Sequence, residues 1–130
     1  MTLRIRAAAR TVGLSPDTLR YYEKIALVPR PLRSAGGQRS YGGKDLARLR
    51  FVVRAQALGF SLLEIRQLLR FRENPARCSD SVRNLARRKC EALAAQRQAL
   101  EQTHRELSLL LSLCTGAKDH CPILERLETD

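Results

Sequence analysis

Ser15-Pro-Asp-Thr-Leu-Arg-Tyr-Tyr-Glu-Lys24, followed by Arg33-Ser-Ala-Gly-Gly-Gln-Arg-Ser-Tyr41, is the stretch that decides the fold. Ser15 has the chemistry of a helix N-cap, Pro16 suits the first helical position, and Asp17 places a negative charge at the positive end of the helix. Upstream, Leu3, Ile5, Ala8, Ala9 and Val12 recur at helical spacing, and Gly13 closes that segment as a C-cap glycine would. Two short helices joined by a Gly-containing turn predict a helix-turn-helix. Pro29 and Pro31 stop helix propagation, and Arg33–Tyr41 reads as a two-stranded hairpin with Gly36-Gly37 at its tip. Such a hairpin is a wing beside the helix pair.

Working outward, a helical pattern resumes at Lys44 through Leu46, Leu49, Phe51, Val52 and Val53 and breaks near Gly59. It restarts behind an N-cap at Ser61 with Glu64 as capping-box partner, and Leu62, Ile65, Leu68 and Leu69 supply its apolar face. From Asp80 to Leu113 there is neither Gly nor Pro, which predicts one helix roughly 50 Å long at 1.5 Å per residue. Ala86, Leu93, Leu100, Leu107 and Cys114 recur every seven residues along it, with Leu85, Ala92 and Ala99 one step behind. A lone helix would leave this stripe in water, so it requires a partner, most simply a second copy of itself. Arg97 and His104 are poor coiled-coil seam residues, which favours an antiparallel or irregular pair over a parallel zipper. The expected fold is mainly α: a winged helix-turn-helix domain over 1–75, a long antiparallel coiled-coil dimerisation helix over 76–113, and a C-terminal loop with a short terminal helix over 114–130.

Charge divides the 130-residue chain in the same place. Its 24 Lys and Arg against 13 acids give a net +11, and residues 1–75 hold 15 of the bases and 5 of the acids. That leaves 9 bases against 8 acids in the remainder, so the halves carry +10 and +1. A strongly basic part with this motif points to a polyanion, double-stranded DNA first. No apolar run reaches the 18 or so residues needed to cross a bilayer, and the N-terminus lacks the apolar core of a secretory signal, which predicts a cytoplasmic protein without membrane contact. No Ser-His-Asp set, paired carboxylates or phosphate loop is present, and an enzyme is not expected.

All four cysteines lie in the near-neutral part. In a chain without marks of secretion they point to metal ligands or redox thiols rather than structural disulfides. Cys114 and Cys121 flank Thr-Gly-Ala-Lys-Asp-His, a loop that can turn both sulfurs inward. Cys78 would lie at the other end of the long helix, roughly 50 Å away, and cannot reach them within one chain. An antiparallel dimer removes the difficulty by placing the start of one long helix beside the end of its mate. Three thiolates select a soft divalent ion over magnesium, calcium or manganese, with His120 or Asp119 as a candidate fourth ligand.

These residues, with Leu58-Gly-Phe-Ser-Leu-Leu-Glu-Ile65 and the terminal Cys-loop-Cys-Pro-Ile-Leu, resemble the MerR family of transcription regulators over nearly the whole chain. The short C-terminal part resembles the metal-sensing branch. The resemblance places Cys78 where sensors of divalent ions carry Cys, and the spacing of Cys114 and Cys121 is most similar to cadmium and lead sensors, with zinc and mercury also in the class. It implies a homodimer that represses an efflux or resistance promoter without metal. With metal it distorts the DNA so that RNA polymerase can engage, which makes it activator as well as repressor. It implies DNA-binding roles for Arg20 and Tyr22 on the recognition helix, for Arg39 and Tyr41 in the wing, and for Tyr21 and Arg54, with Ser15, Asp17 and Thr18 placed to approach base edges. The chain departs from the pattern at Gln38, at Ala26 where Gly is common, and at Gln56 where some members carry Arg.

One of Tyr21 and Tyr22 is expected in the core, Cys90 is expected to pack at the helix seam rather than ligate, and His104 to be structural. A thiol-redox regulator on the same scaffold, with Cys114 and Cys121 forming a disulfide, is the alternative function, and a metal-buffering protein whose basic half is incidental is a third.

Overall fold

The computed structural model describes residues 2–74 and 79–129. The chain divides into two compact units, 1–85 and 86–130. The first holds helices α1 (Ile5–Val12) and α2 (Pro16–Lys24), strands β1 (Leu32–Arg33) and β2 (Arg39–Ser40), and helices α3 (Gly43–Ala57) and α4 (Leu62–Glu73). Helix α5 (Ser79–Leu113) crosses into the second unit, which ends with α6 (Pro122–Glu128).

Local chemistry sets most of these boundaries. Gly13 terminates α1 in the left-handed conformation at φ 78°, its amide turned back onto the carbonyls of the last turn. Ser15 Oγ accepts the Thr18 amide at 3.1 Å with Pro16 at the first helical position. At α4, the Glu64 amide donates to Ser61 Oγ and the Ser61 amide to Glu64 Oε1, at 3.2 and 2.8 Å, a reciprocal capping box. The hairpin is antiparallel, pairing Leu32 with Ser40 and Arg33 with Arg39, and Gly37 at φ 78° makes its tight turn.

The core of the first unit gathers Ala8, Ala9, Val12, Leu19, Tyr22, Leu27, Val28, Tyr41, Leu49, Val52, Ala55, Ile65 and Leu69. Of the apolar face expected on α4, Ile65 and Leu69 are buried, while Leu62 and Leu68 pack against the core half-buried. Leu3 departs from the expected helix. Its backbone pairs with Tyr41 in an isolated antiparallel bridge, with amide-to-carbonyl distances of 2.8 and 2.7 Å, and α1 begins only at Ile5. The extended Arg4 and the bridge hold this residue beside the wing, a tertiary pairing that outranks its helical spacing.

The C-terminal end of α2 is held by arginines from two other helices. Arg66 donates to the Ile25 carbonyl at 2.6 Å and Arg48 to the Leu27 carbonyl at 3.3 Å, while Arg48 also pairs with Glu73. Ile25 is the C-cap of α2, so the Arg66 cation suits the negative end of that helix, and Arg48 holds the turn that follows it. Part of the +10 of the N-terminal part is therefore internal structure rather than free surface.

In the second unit, the α5 stripe is open in the single chain. Leu100 and Leu107 are 71% and 56% exposed, and Leu109, Leu111 and Leu113 are exposed with them. Arg126 of α6 donates to Glu106 of α5 at 2.8 Å. No helix among the described residues is long and apolar enough to cross a membrane.

Candidate nucleic-acid interface and thiol loop

Helices α1 and α2 and the wing enclose two adjoining clefts. One, of about 720 Å³, is bordered by Arg4, Arg6, Arg10, Arg20, Arg33 and Arg39. The other, of about 260 Å³, lies between α2 and the wing and adds Lys24 and Arg30. Arg20, Arg33 and Arg39 border both, so they mark the ridge where recognition helix and wing meet. So many guanidinium groups around one concave face create a positive potential and supply the planar donor forks that fit phosphate oxygens.

The individual residues of this face are not equivalent. Ser15 and Thr18 share a hydroxyl hydrogen bond at 2.8 Å at the start of α2, and Asp17, fully in solvent, pairs with Arg20 at 2.9 Å. Tyr21 is half exposed and Arg54 is exposed on α3. Tyr22 and Tyr41, in contrast, are 4% and 2% exposed. The Tyr22 hydroxyl donates to Gln56 Oε1 at 2.7 Å, and the Tyr41 hydroxyl to Glu23 Oε1 at 2.5 Å. Burial raises the pKa of both phenols, and for Tyr41 the Glu23 carboxylate raises it further, whereas the Gln56 bond partly offsets the rise at Tyr22. Both rings thus lie in the core, Tyr22 as the core member expected of the Tyr21–Tyr22 pair, and both hydroxyls are partnered within the chain. Arg39 completes the group: its Nε–H donates to Glu23 Oε2 at 2.7 Å.

Cys114 and Cys121 are half-buried free thiols at the two ends of the loop between α5 and α6. Gly116 turns the loop at φ 77°, and Cys121 stands at the N-cap of α6, ahead of Pro122. His120 Nδ1 lies 2.8 Å from Glu125 Oε1, which leaves Nε2 as the ring nitrogen open to a ligand. No three of the described His, Cys, Asp and Glu residues converge as a preformed metal cluster. Cys78 lies outside the described residues. Cys90 is exposed on α5.

Comparison with known proteins converges on one group. The family model for MerR HTH family regulatory proteins matches residues 3–72, and a second, described as MerR, DNA binding, matches 46–110. The chain belongs to the MerR family. Among relatives, it is 40% identical over 126 residues to the HTH-type transcriptional regulator HmrR of Rhizobium leguminosarum bv. viciae, covering 96% of this chain and 97% of that protein. It is 36% identical over 130 residues to the mercuric resistance operon regulatory protein of Bacillus cereus, with 98% of each chain covered. The fold superimposes with a TM-score of 0.80 on PbrR691 of Ralstonia metallidurans CH34, solved in complex with lead(II), at 32% identity over 96% of this chain and 98% of that one. As a MerR-family member the chain is a DNA-binding transcriptional regulator and not an enzyme.

Of the basic residues that border the two clefts of this MerR-family chain, Arg20 and Arg39 are among those expected from the sequence, and Arg4, Arg6, Arg10, Lys24, Arg30 and Arg33 are added by the fold. Arg4, Arg6 and Arg10 are interleaved with Ala8 and Ala9, whose side chains are buried in the core, so the segment carries its charge on the opposite face. Gln56, noted only as a departure from the family, is the acceptor that satisfies the buried Tyr22 hydroxyl.

Proposed function

We propose that this protein is a soft-metal-responsive regulator of the MerR type, acting in the cytoplasm as a homodimer on double-stranded promoter DNA. The observation that carries the reading is the division of the chain. The guanidinium-lined face lies wholly in the first unit, and the paired thiols Cys114 and Cys121 lie wholly in the second. Recognition and sensing are chemically distinct tasks on separate units, as a ligand-switched regulator requires.

The donor set fits a soft ion. Two half-buried thiols on a glycine-turned loop, with an imidazole already oriented by a carboxylate, suit cadmium, zinc, lead or mercury and not magnesium or calcium. Cys114 and Cys121 would hold the ion with Cys78 of the second protomer as third thiolate, and His120 would join for ions that favour four ligands. When bound, the ion supplies a crosslink between donors that otherwise repel as thiolates. Cys114 and Cys121 present the sulfurs, Gly116 lets the loop close, and Glu125 fixes the imidazole.

On the DNA side, Arg20, Arg39 and the arginines around the two clefts neutralise phosphates and set register, with Ser15, Asp17, Thr18 and Tyr21 on the same helix and Arg54 on α3. Repression without metal, and activation by distorting the promoter for RNA polymerase with metal, complete the proposed cycle; its output is an efflux or resistance operon.

Cys114→Ser tests the assignment. Promoter induction by cadmium, lead, zinc and mercury salts should be lost while operator binding is retained. Loss of both together, or induction by diamide under strict chelation, would overturn it, the second outcome in favour of a disulfide switch.

A further inference from the structure

Glu23 is out of place beneath a surface that meets a polyanion. It is the one charged side chain that is buried among the described residues, at 8% exposure on the recognition helix. Both of its carboxylate oxygens are engaged, Oε1 by the Tyr41 hydroxyl at 2.5 Å and Oε2 by Arg39 Nε at 2.7 Å. Burying a carboxylate is costly, and by charge alone an anion here opposes DNA binding. What it contributes is geometry. Its two partners come from and beside β2, so one residue of α2 ties the recognition helix to the wing. Arg39 is held through Nε and keeps 28% of its side chain exposed on the ridge between the two clefts.

We propose that Glu23 is a positioning residue for DNA recognition. It fixes the Arg39 guanidinium by its Nε edge, which leaves both terminal amino groups for one backbone phosphate, and Tyr41 locks the carboxylate that does this. A guanidinium fork restrained before binding has less rotamer freedom to lose on meeting phosphate. The same clamp fixes the spacing between the recognition helix and the wing, so that phosphate contact and base approach fall in one register. This inference rests on the reading of the arginine-lined face as the DNA surface.

Charge and position pull in opposite directions in Glu23→Gln, which makes the test decisive. The amide offers one oxygen where the carboxylate offered two: with that oxygen on Tyr41 its NH2 opposes Arg39 Nε–H, and with it on Arg39 the Tyr41 hydroxyl must rotate to accept, and in either case the charge that strengthens the Arg39 bond is gone. Removal of the negative charge strengthens attraction to any duplex, whereas release of Arg39 weakens only the registered complex. The full chain and its variants are titrated on an operator duplex selected by the unmodified protein from a random library and on a scrambled duplex of equal length, over a salt series. Glu23→Gln should lose about tenfold on the operator, the scale of one charged hydrogen bond, with scrambled-duplex binding equal or tighter. Arg39→Ala should weaken both and lower the salt slope by about 1. The double variant should bind the operator no more weakly than Arg39→Ala alone, since Glu23 acts through Arg39.

Equal loss on both duplexes, loss on neither, or full additivity in the double variant overturns the proposal. An unchanged salt slope and operator affinity in Arg39→Ala would instead overturn the reading of the face itself. Should Glu23→Gln fail to fold, Tyr41→Phe removes one bond to the same carboxylate and keeps the buried ring. It should lose about threefold on the operator and nothing on the scrambled duplex, as expected for a partial loosening of the clamp, and a folded Tyr41→Phe with unchanged operator affinity overturns the proposal.

Discussion

Ala26 holds a backbone conformation that L-residues avoid, at φ 57°, in the turn where α2 hands over to the wing. The turn is over-determined by its neighbours: the Ala26 amide donates to the Glu23 carbonyl at 3.1 Å, and Arg66 and Arg48 grip the carbonyls on either side of it. An L-residue in this region costs roughly 1–2 kcal/mol, part of which glycine gives back through its freer unfolded chain. Ala26→Gly should therefore raise the denaturant midpoint by the equivalent of about 0.5–1 kcal/mol with an unchanged m-value, and Ala26→Val should lower it. The buried phenols set a second expectation. Tyr22 and Tyr41 both have pKa values raised above the ordinary 10.0, chiefly by burial, so the fold favours their neutral forms. Their contribution to stability is complete below pH 10 or so and is lost as pH climbs from the unfolded value through the raised folded ones. Unfolding followed at stepped pH should show an alkaline decline that Tyr41→Phe makes shallower; a decline of equal depth in that variant would refute the assignment to Tyr41.

Among the elements, α4 depends on its first turn. The two bonds of the Ser61–Glu64 box close α4 at its N-terminus, satisfying the Ser61 and Glu64 amides reciprocally. Ser61→Ala should cost about 1 kcal/mol and raise amide exchange in the first turn of α4 before it affects the buried Ile65 and Leu69. Such boundaries were open to reading because their causes are local: Ser15, Pro16, Gly13, Ser61 and Pro122 each act within four residues of themselves. The exceptions have distant causes. Leu3 left the expected helix because it pairs with Tyr41, and which of Tyr21 and Tyr22 enters the core, as one of them was expected to, goes with Gln56, 34 positions along the chain, which accepts the Tyr22 hydroxyl. Arg48 and Arg66 counted toward a basic surface in the sequence, yet they bind carbonyls at the end of α2. The thiol loop was readable as a pair, Cys114 and Cys121 around a glycine, for the same local reason, whereas a third donor depends on an arrangement of chains that spacing alone only constrains.

For the molecule as a whole, the two units differ in how much of their apolar surface they bury within themselves. The first unit encloses its own core. Helix α5, 35 residues and about 52 Å long, instead presents Leu93, Leu100, Leu107 and Leu111 to solvent in the single chain. Each leucine withdrawn from water is worth about 1.5–3 kcal/mol, so a seam of several is enough to hold a dimer after the cost of association. Leu100, 71% exposed near the middle of the stripe, is the residue to change, because a monomer tolerates a polar group there and a seam does not. Leu100→Asp should sediment as a monomer at micromolar concentration while the first unit keeps its near-native thermal transition. The metal readout separates from the folding one. If the third thiolate belongs to the other protomer, cadmium titrated into the monomeric variant should give weaker thiolate charge-transfer absorbance, that of two sulfurs rather than three, and bind less tightly. A monomer with undiminished absorbance would place all the sulfur donors within one chain, and a variant that remains dimeric would move the seam away from this stripe.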